Sequence, residues 1–267
     1  MRVVIKGAGD LATGIGFRLK KSGFTVVMTD LEVPTAVRRT VAFSRAIYEE
    51  SATVEGVVAK RAKDQEEMEK ILKQGNIPVL VDPEAQIVKD WKPDVVVDAI
   101  LAKKNLNTSM DDAKLVIGVG PGFTAKKDCH FVVETKRGHY LGSVISQGSA
   151  IPNTGVPGNI GGYTVERIIR SACDGVFHPV AQIGDFVQKG DIVAYSGEEP
   201  IYALLTGIVR GMLQEGVVVT KGMKSGDIDP RCEKEHCFTI SDKARSIGGG
   251  VLEAILSYFY GESGLPV

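Results

Sequence analysis

The residues best suited to chemistry open the chain. Gly7-Ala8-Gly9-Asp10-Leu11-Ala12 fits G-x-G-x-x-G/A and directly follows the apolar run Val3-Val4-Ile5. In that pattern the first glycine makes a sharp turn, the second lets a pyrophosphate approach the backbone, and the small last residue lets helix and strand pack closely. The helix start offers unpaired N–H groups and a partial positive charge to a phosphate. Asp30 follows at the spacing where an acid holds a ribose hydroxyl in dinucleotide sites. Asp10 is either a competitor for a bound phosphate or a helix cap. A second glycine loop, Gly118-Val119-Gly120-Pro121-Gly122-Phe123, ends another apolar run, and Lys103, Lys104 and Asn105 follow a third. The candidate cofactor-binding residues are therefore Gly7, Ala8, Gly9, Asp10, Leu11, Ala12, Asp30, Lys103, Gly118, Gly120 and Gly122.

Other reactive groups are sparser. Glu134, Arg137 and His139 stand close together, and His139 is the best acid–base candidate of the four histidines. Cys232, His236 and Cys237 have C-x3-H-C spacing, which gives three soft ligands for zinc with Cys129 or His130 as a distant fourth. Adjacent His236 and Cys237 chelate poorly from a regular element, so an unmetallated Cys237 thiol is the competing reading. The catalytic candidates are His139, Arg137 and Cys237, and the metal candidates are Cys232, His236 and Cys237.

The elements that would carry these groups follow from periodicity. Leu11, Ile15 and Leu19 recur every four residues and predict a helix to Lys21 with Gly23 beyond its end. Phe24–Met28 predicts a strand, Pro34–Tyr48 a helix bearing Arg38 and Arg39, and Thr53–Lys60 a strand. Asp64–Gln74 reads as an amphipathic helix, and Pro78–Val81, Asp94–Leu101 and Leu115–Val119 as buried strands. Gly226-Asp227-Ile228-Asp229-Pro230-Arg231 reads as a turn with two acids and a base. The last helix begins at Ser241 and contains Gly248-Gly249-Gly250, which implies a break or a close backbone contact.

A repeat lies between. Residues 175–192 match 207–224, with Gly175 on Gly207, Gln182 on Gln214, Gly184 on Gly216, Val187 on Val219 and Lys189 on Lys221. The spacing resembles the biotinyl/lipoyl barrel-sandwich fold, whose halves are related by a pseudo-twofold. The connecting Gly197-Glu198-Glu199-Pro200 has no lysine, which argues against covalent biotin or lipoate. The expected fold is thus α/β: a Rossmann-like nucleotide-binding domain over residues 1–123, connecting strands and a Gly-rich loop over 124–165, a barrel-sandwich module over 166–231, and a terminal helix segment over 232–267. The loop 148–162 reads as a lid or a linker.

Composition sets the outer bounds. Apolar residues at 43% and charged residues at 24% describe a globular chain, and the formal charge of −1 gives no reason to expect nucleic-acid or membrane-surface binding. No apolar stretch is long enough for a membrane helix. The N-terminus lacks a signal-peptide pattern, and four cysteines make no disulfide framework, so a cytoplasmic protein is expected.

Longer motifs extend the reading. IKGAGDLATG, VRRTVAFSRAIYE, VIGVGPGFTA, VVETKRGHYLG, PNTGVPGNIGGY, GDIDPR and CFTISDKARSIGGGVLEAIL together resemble the accessory proteins of selenium-dependent molybdenum hydroxylase systems. That resemblance implies a role in maturation of such enzymes and carries no catalytic assignment. The expected ligand is a phosphate-bearing molecule, an adenine dinucleotide or a molybdopterin derivative, and the expected partner a molybdenum hydroxylase client; self-association stays open. The alternatives are an NAD(P)-dependent oxidoreductase, with His139 or Lys103 as proton donor, and a non-catalytic interaction scaffold.

Overall fold

The computed structural model describes residues 1–261. The chain forms two compact units: Met1–Pro34, Ala42–Thr154 and the chain from Ile240 in the first, Thr35–Val41 and Gly155–Thr239 in the second.

The first unit is built on β1 (Arg2–Lys6), α1 (Asp10–Lys21), β2 (Thr25–Asp30), α2 (Ala46–Glu49), β3 (Ser51–Val54), β4 (Val57–Ala62), α3 (Gln65–Lys73), β5 (Ile77–Val81), α4 (Ile87–Trp91), β6 (Val95–Asp98), β7 (Leu115–Val119), β8 (Thr124–Ala125), β9 (Phe131–Val133), β10 (Val144–Ile145) and β11 (Gly148–Ser149). Its large sheet has the order β10-β9-β7-β6-β1-β2-β5-β4-β3. The interior strands run parallel, while β3 and β10 pair antiparallel at the two edges. Runs such as Val3-Val4-Ile5 and Val95-Val96-Val97 are buried throughout, as parallel strands covered on both faces require. The stretch expected as one strand over 53–60 is a hairpin, because Glu55 and Gly56 both take positive φ and turn the chain back.

The last helix, α5 (Asp242–Tyr260), belongs to this unit and lies along α1. Ser241 caps it by accepting the Ala244 N–H at 3.1 Å. Its glycines leave the helix unbroken, and Gly248 and Gly250 serve close approach, while a Cβ on Gly249 would meet nothing. A Cβ on Gly248 would stand 2.9 Å from the Gly14 carbonyl oxygen, and one on Gly14 would stand 2.7 Å from the Ala244 Cβ.

The second unit comprises β12 (Ile168–Arg170), β13 (Gly175–Pro179), β14 (Phe186–Val187), β15 (Ile192–Ser196), β16 (Glu199–Tyr202), β17 (Gly207–Met212), β18 (Val218–Val219) and β19 (Lys224–Asp229). They form two four-stranded antiparallel sheets, β12-β19-β17-β14 and β16-β15-β13-β18, that share the core of Phe177, Val193, Val209 and Ile228. The sequence repeat reappears as reciprocal hydrogen bonding. The first copy's β14 pairs with the second copy's β17, and β18 with β13 in the same register. The Gly184 N–H donates to the Val209 carbonyl at 2.8 Å, and the Gly216 N–H to the Phe177 carbonyl at 2.9 Å.

The expected fold is therefore corrected. Instead of a Rossmann-like domain ending near residue 123, the first unit is a mixed sheet that continues through β9 and β10 and is closed at both edges by antiparallel strands. Instead of a barrel-sandwich module with a separate terminal helix, the repeat builds two discrete antiparallel sheets, and α5 returns to the first unit. Pro34–Tyr48 is also not one helix. Short 3-10 turns at Arg39–Val41 and Phe43–Arg45 precede α2, and residues 35–41 join the second unit. No described helix is long and apolar enough to cross a membrane.

Candidate functional site

The central strand β1 has β2 on one side and β6 on the other, so the order of the sheet reverses beside it. Open parallel sheets bind ligands outside the carboxyl ends of their strands at such a reversal. Here β1 ends in Lys6 and β6 in Asp98, and the two are neighbours in register. Both are only 2% exposed. The Lys6 ammonium donates to Asn107 Oδ1 and Thr108 Oγ1, each at 2.6 Å, and lies 3.9 Å from Asp98 Oδ2. The Thr108 hydroxyl donates onward to Asp98 Oδ2 at 2.6 Å. Asn105 holds this loop by exchanging hydrogen bonds with the Thr108 backbone. A buried lysine needs such partners, because an unpaired buried charge costs several kcal/mol. Beside the network opens a cavity of about 190 Å³, bordered by Lys6, Glu84, Gln86, Lys89, Asn107 and Asp112. Ligand-enclosing pockets usually exceed about 300 Å³, so this one suits an end group rather than a whole dinucleotide.

The first glycine turn adjoins Lys6. Gly7 has φ +95°, and a Cβ there would stand 3.0 Å from the Ala99 carbonyl oxygen, so its bareness serves packing against the chain itself. The Ala8 N–H donates to Asp30 Oδ2 at 2.8 Å, and the Leu31 N–H to Oδ1 at 2.8 Å. Burial raises the Asp30 carboxyl above its ordinary pKa, against the pull of these two amides. Asp30 thus faces the turn and occupies one of its amides. The Ala8 carbonyl accepts the Ser44 N–H at 2.9 Å and the Thr13 hydroxyl at 3.2 Å. Gly9 is the N-cap of α1 and supplies no side-chain cap; Asp10 begins the helix, and Leu11 and Ala12 are buried. The amides that open α1 beyond Ala8 are the part of the turn suited to an anion.

The second loop is packed differently from a cradle. A Cβ on Gly118 would meet the Phe123 ring at 2.5 Å, on Gly120 the Thr135 hydroxyl at 2.7 Å, and on Gly122 the Lys104 backbone nitrogen at 2.6 Å. These glycines fit the chain to itself. Lys103 and Leu101 both take positive φ, 62° in each case, in the loop that leaves β6.

None of the other candidates is among the residues that border this cavity. Arg137 forms a bidentate pair with Asp242 at 2.5 and 2.8 Å, and exposed His139 stacks edge-on with Tyr140. Glu134 is 2% exposed and accepts three backbone N–H groups, from Thr135, Lys136 and Ile151, each at 2.7 Å. In the second unit, Cys237 is fully buried with its thiol donating to the Val209 carbonyl at 3.6 Å. Burial pushes that thiol up in pKa, opposed by the nearby Arg210 and Arg38, which leaves it a poor nucleophile. Cys232 is exposed, its thiol turned to the Pro230 carbonyl, and His236 has a buried Nδ1 with no hydrogen-bond partner among the described residues. Among the described residues, no group of three or more His, Cys, Asp or Glu is placed to hold a metal ion.

Sequence reasoning missed Lys6, Asp98, Asn107 and Thr108. The signal was present in part: a lysine and an aspartate inside runs of valine need buried partners.

No family model matches the chain. Among solved structures, it aligns with a succinylglutamate desuccinylase from Silicibacter sp. TM1040 at 10% identity over 85% of this chain and 84% of that one, with a TM-score of 0.25. A succinylglutamate desuccinylase/aspartoacylase from Rhodobacter sphaeroides aligns at 12% identity over 85% and 84%, with a TM-score of 0.27. Scores this low bear on neither fold nor activity. YqeB of Escherichia coli K12, itself uncharacterized, is 52% identical over 254 residues, covering 95% of this chain and 47% of its own length. The chain is therefore YqeB-like along nearly all of its residues and spans about half the length of that relative.

Proposed function

We propose that the chain acts as an accessory or maturation protein for selenium-dependent molybdenum hydroxylases and holds the phosphate end of a nucleotide or molybdopterin-type cofactor at the crevice beside Lys6. Support comes from one observation above the others. Lys6 is held in a buried network where the sheet order reverses, and the chain that leaves it enters α1 through Gly9, which supplies no side-chain cap. The small cavity there accommodates an end group, with the rest of the ligand outside. The long motifs from IKGAGDLATG to SDKARSIGGG support the assignment to this enzyme system, and cytoplasmic residence accompanies it.

The oxidoreductase alternative has less behind it. Asp30, the residue that would grip a ribose, is turned to Ala8, and His139 packs edge-on against Tyr140 and does not border the cavity. The residues present fit a phosphate better than they fit a dinucleotide, and no chemical step is assigned to them.

The test is purification from a native-like host followed by mass spectrometry of small molecules that co-elute. A pterin or nucleotide bearing a phosphate is expected. A chain that carries neither, and whose melting temperature is unmoved by a panel of both, contradicts the reading, since ligand at 100 times its Kd stabilises by about 2.7 kcal/mol.

A further inference from the structure

The two copies of the repeat are alike in backbone and unlike in what covers them. In both, the same amide bonds the same carbonyl: Leu213 N–H to Ser225 at 2.9 Å, and its counterpart Ala181 N–H to Val193 at 3.0 Å. One residue earlier they part. The Met212 N–H donates to the Val37 carbonyl at 2.7 Å, on the segment Thr35-Ala36-Val37-Arg38-Arg39-Thr40-Val41 that lies over this copy. Arg39 completes the contact through Nε to the Met212 carbonyl at 2.9 Å and Nη1 to Gln214 Oε1 at 2.8 Å. Nothing covers the counterpart among the described residues. There the Val180 N–H doubles up on the Val193 carbonyl that Ala181 already uses, at 3.0 Å. Gln182, the match of Gln214, is exposed with no side-chain partner among the described residues.

Burial differs between the copies, and β17 is packed by the turn Lys234–Cys237 as well as by residues 35–41. Met212 is 0% exposed and Ile208 7%, while their counterparts Val180 and Val176 are 55% and 40% exposed. Val218, paired with Val176, is 75% exposed. On the same face the exposed Glu215 is hydrogen-bonded to His178. We propose that the face from Val176 to Gln182 docks an extended segment of a partner protein that carries an arginine between β-branched residues, as residues 35–41 do for the other copy. The arginine takes Gln182, a partner carbonyl takes the Val180 N–H, and the β-branched side chains cover Val176 and Val218. Pro179 stands where Gly211 admits Val37 to within 3.1 Å of an added Cβ, so the partner segment rides farther from this sheet than residues 35–41 do from theirs. The proposal does not depend on the cofactor crevice.

The test uses the whole chain, labelled with 15N, and a blocked synthetic peptide Thr-Ala-Val-Arg-Arg-Thr-Val. Saturable amide shifts at Val180 and Gln182 are expected. Gln182→Ala should weaken binding about tenfold, the scale of a hydrogen bond to a charged group, and Pro179→Gly should strengthen it. Spectra of the free variants establish that they are folded. No saturable shift, shifts confined to residues 208–214 where the peptide displaces its own counterpart, or an unchanged affinity in Gln182→Ala would each overturn the proposal.

Discussion

Lys6→Met is the substitution whose effect the crevice fixes most tightly. Methionine keeps the length and apolar stem of lysine and deletes the ammonium. Asp98, whose side chain is 3% exposed, is then left, among the described residues, with the Thr108 hydroxyl and the Ile100 N–H, the latter at 3.2 Å, as donors. Removing one partner of a buried ion pair costs about 3–5 kcal/mol. For a chain of this size that is a fall in melting temperature of about 10 °C. Urea unfolding followed by circular dichroism measures the loss, and an unchanged m-value establishes that the same surface unfolds. The double variant Lys6→Met/Asp98→Asn removes both charges and should recover at least half of the loss, a coupling that separates ion pairing from packing. A single-variant cost below about 1 kcal/mol, or a double variant no better than the single one, would refute the description of Lys6 and Asp98 as a mutually dependent buried pair.

Further outcomes follow from other contacts. Burial raises the Asp229 carboxyl, but three hydrogen bonds from Arg231 and the charges of Arg231 and Arg210 outweigh it and hold the pKa at about 2. Its stabilisation is present above the ordinary value near 3.9 and is lost as pH falls through that value toward the folded one, about 2 kcal/mol in all; acid unfolding of Asp229→Asn should lack that part of the slope. His130 accepts the Val116 N–H at Nδ1, at 3.0 Å, and burial lowers its pKa, with Lys126 adding to the shift. The stability it contributes is present above the ordinary histidine value and declines as pH falls below it, so an NMR titration midpoint above about 6.5 would contradict this geometry. Gly14→Ala should destabilise by about 1–3 kcal/mol through overpacking against Ala244, with Ala244→Gly restoring most of it in thermal melts.

Much of the first unit was legible because parallel strands announce themselves as valine runs and the glycine turn sits where a strand enters a helix. The repeat was legible too, and returns as reciprocal hydrogen bonds between its copies. What failed was whatever depends on a distant partner. Gly226–Arg231 reads as a turn, yet Asp227 and Asp229 are buried at the end of β19, paired with Arg167 and Arg231. No local pattern gives the position of Arg167. The continuation of the sheet into β9 and β10 was hidden because three- and two-residue strands carry almost no periodicity. Residues 35–41 look helical alone, and the second unit draws them into a different course through Val37 and Arg39. The glycines of Gly118–Gly122 matched a ligand loop in composition, but only coordinates distinguish a glycine bare for a phosphate from one bare for Phe123, Thr135 or Lys104.

The central claim is that the start of α1 beside Lys6 receives a phosphate, and amide chemical-shift mapping with inorganic pyrophosphate tests it most directly. Saturable shifts at Asp10, Leu11 and Ala12, together with Asn107, are predicted. Pyrophosphate that leaves those amides unmoved, or moves only residues remote from β1 and β6, would contradict it.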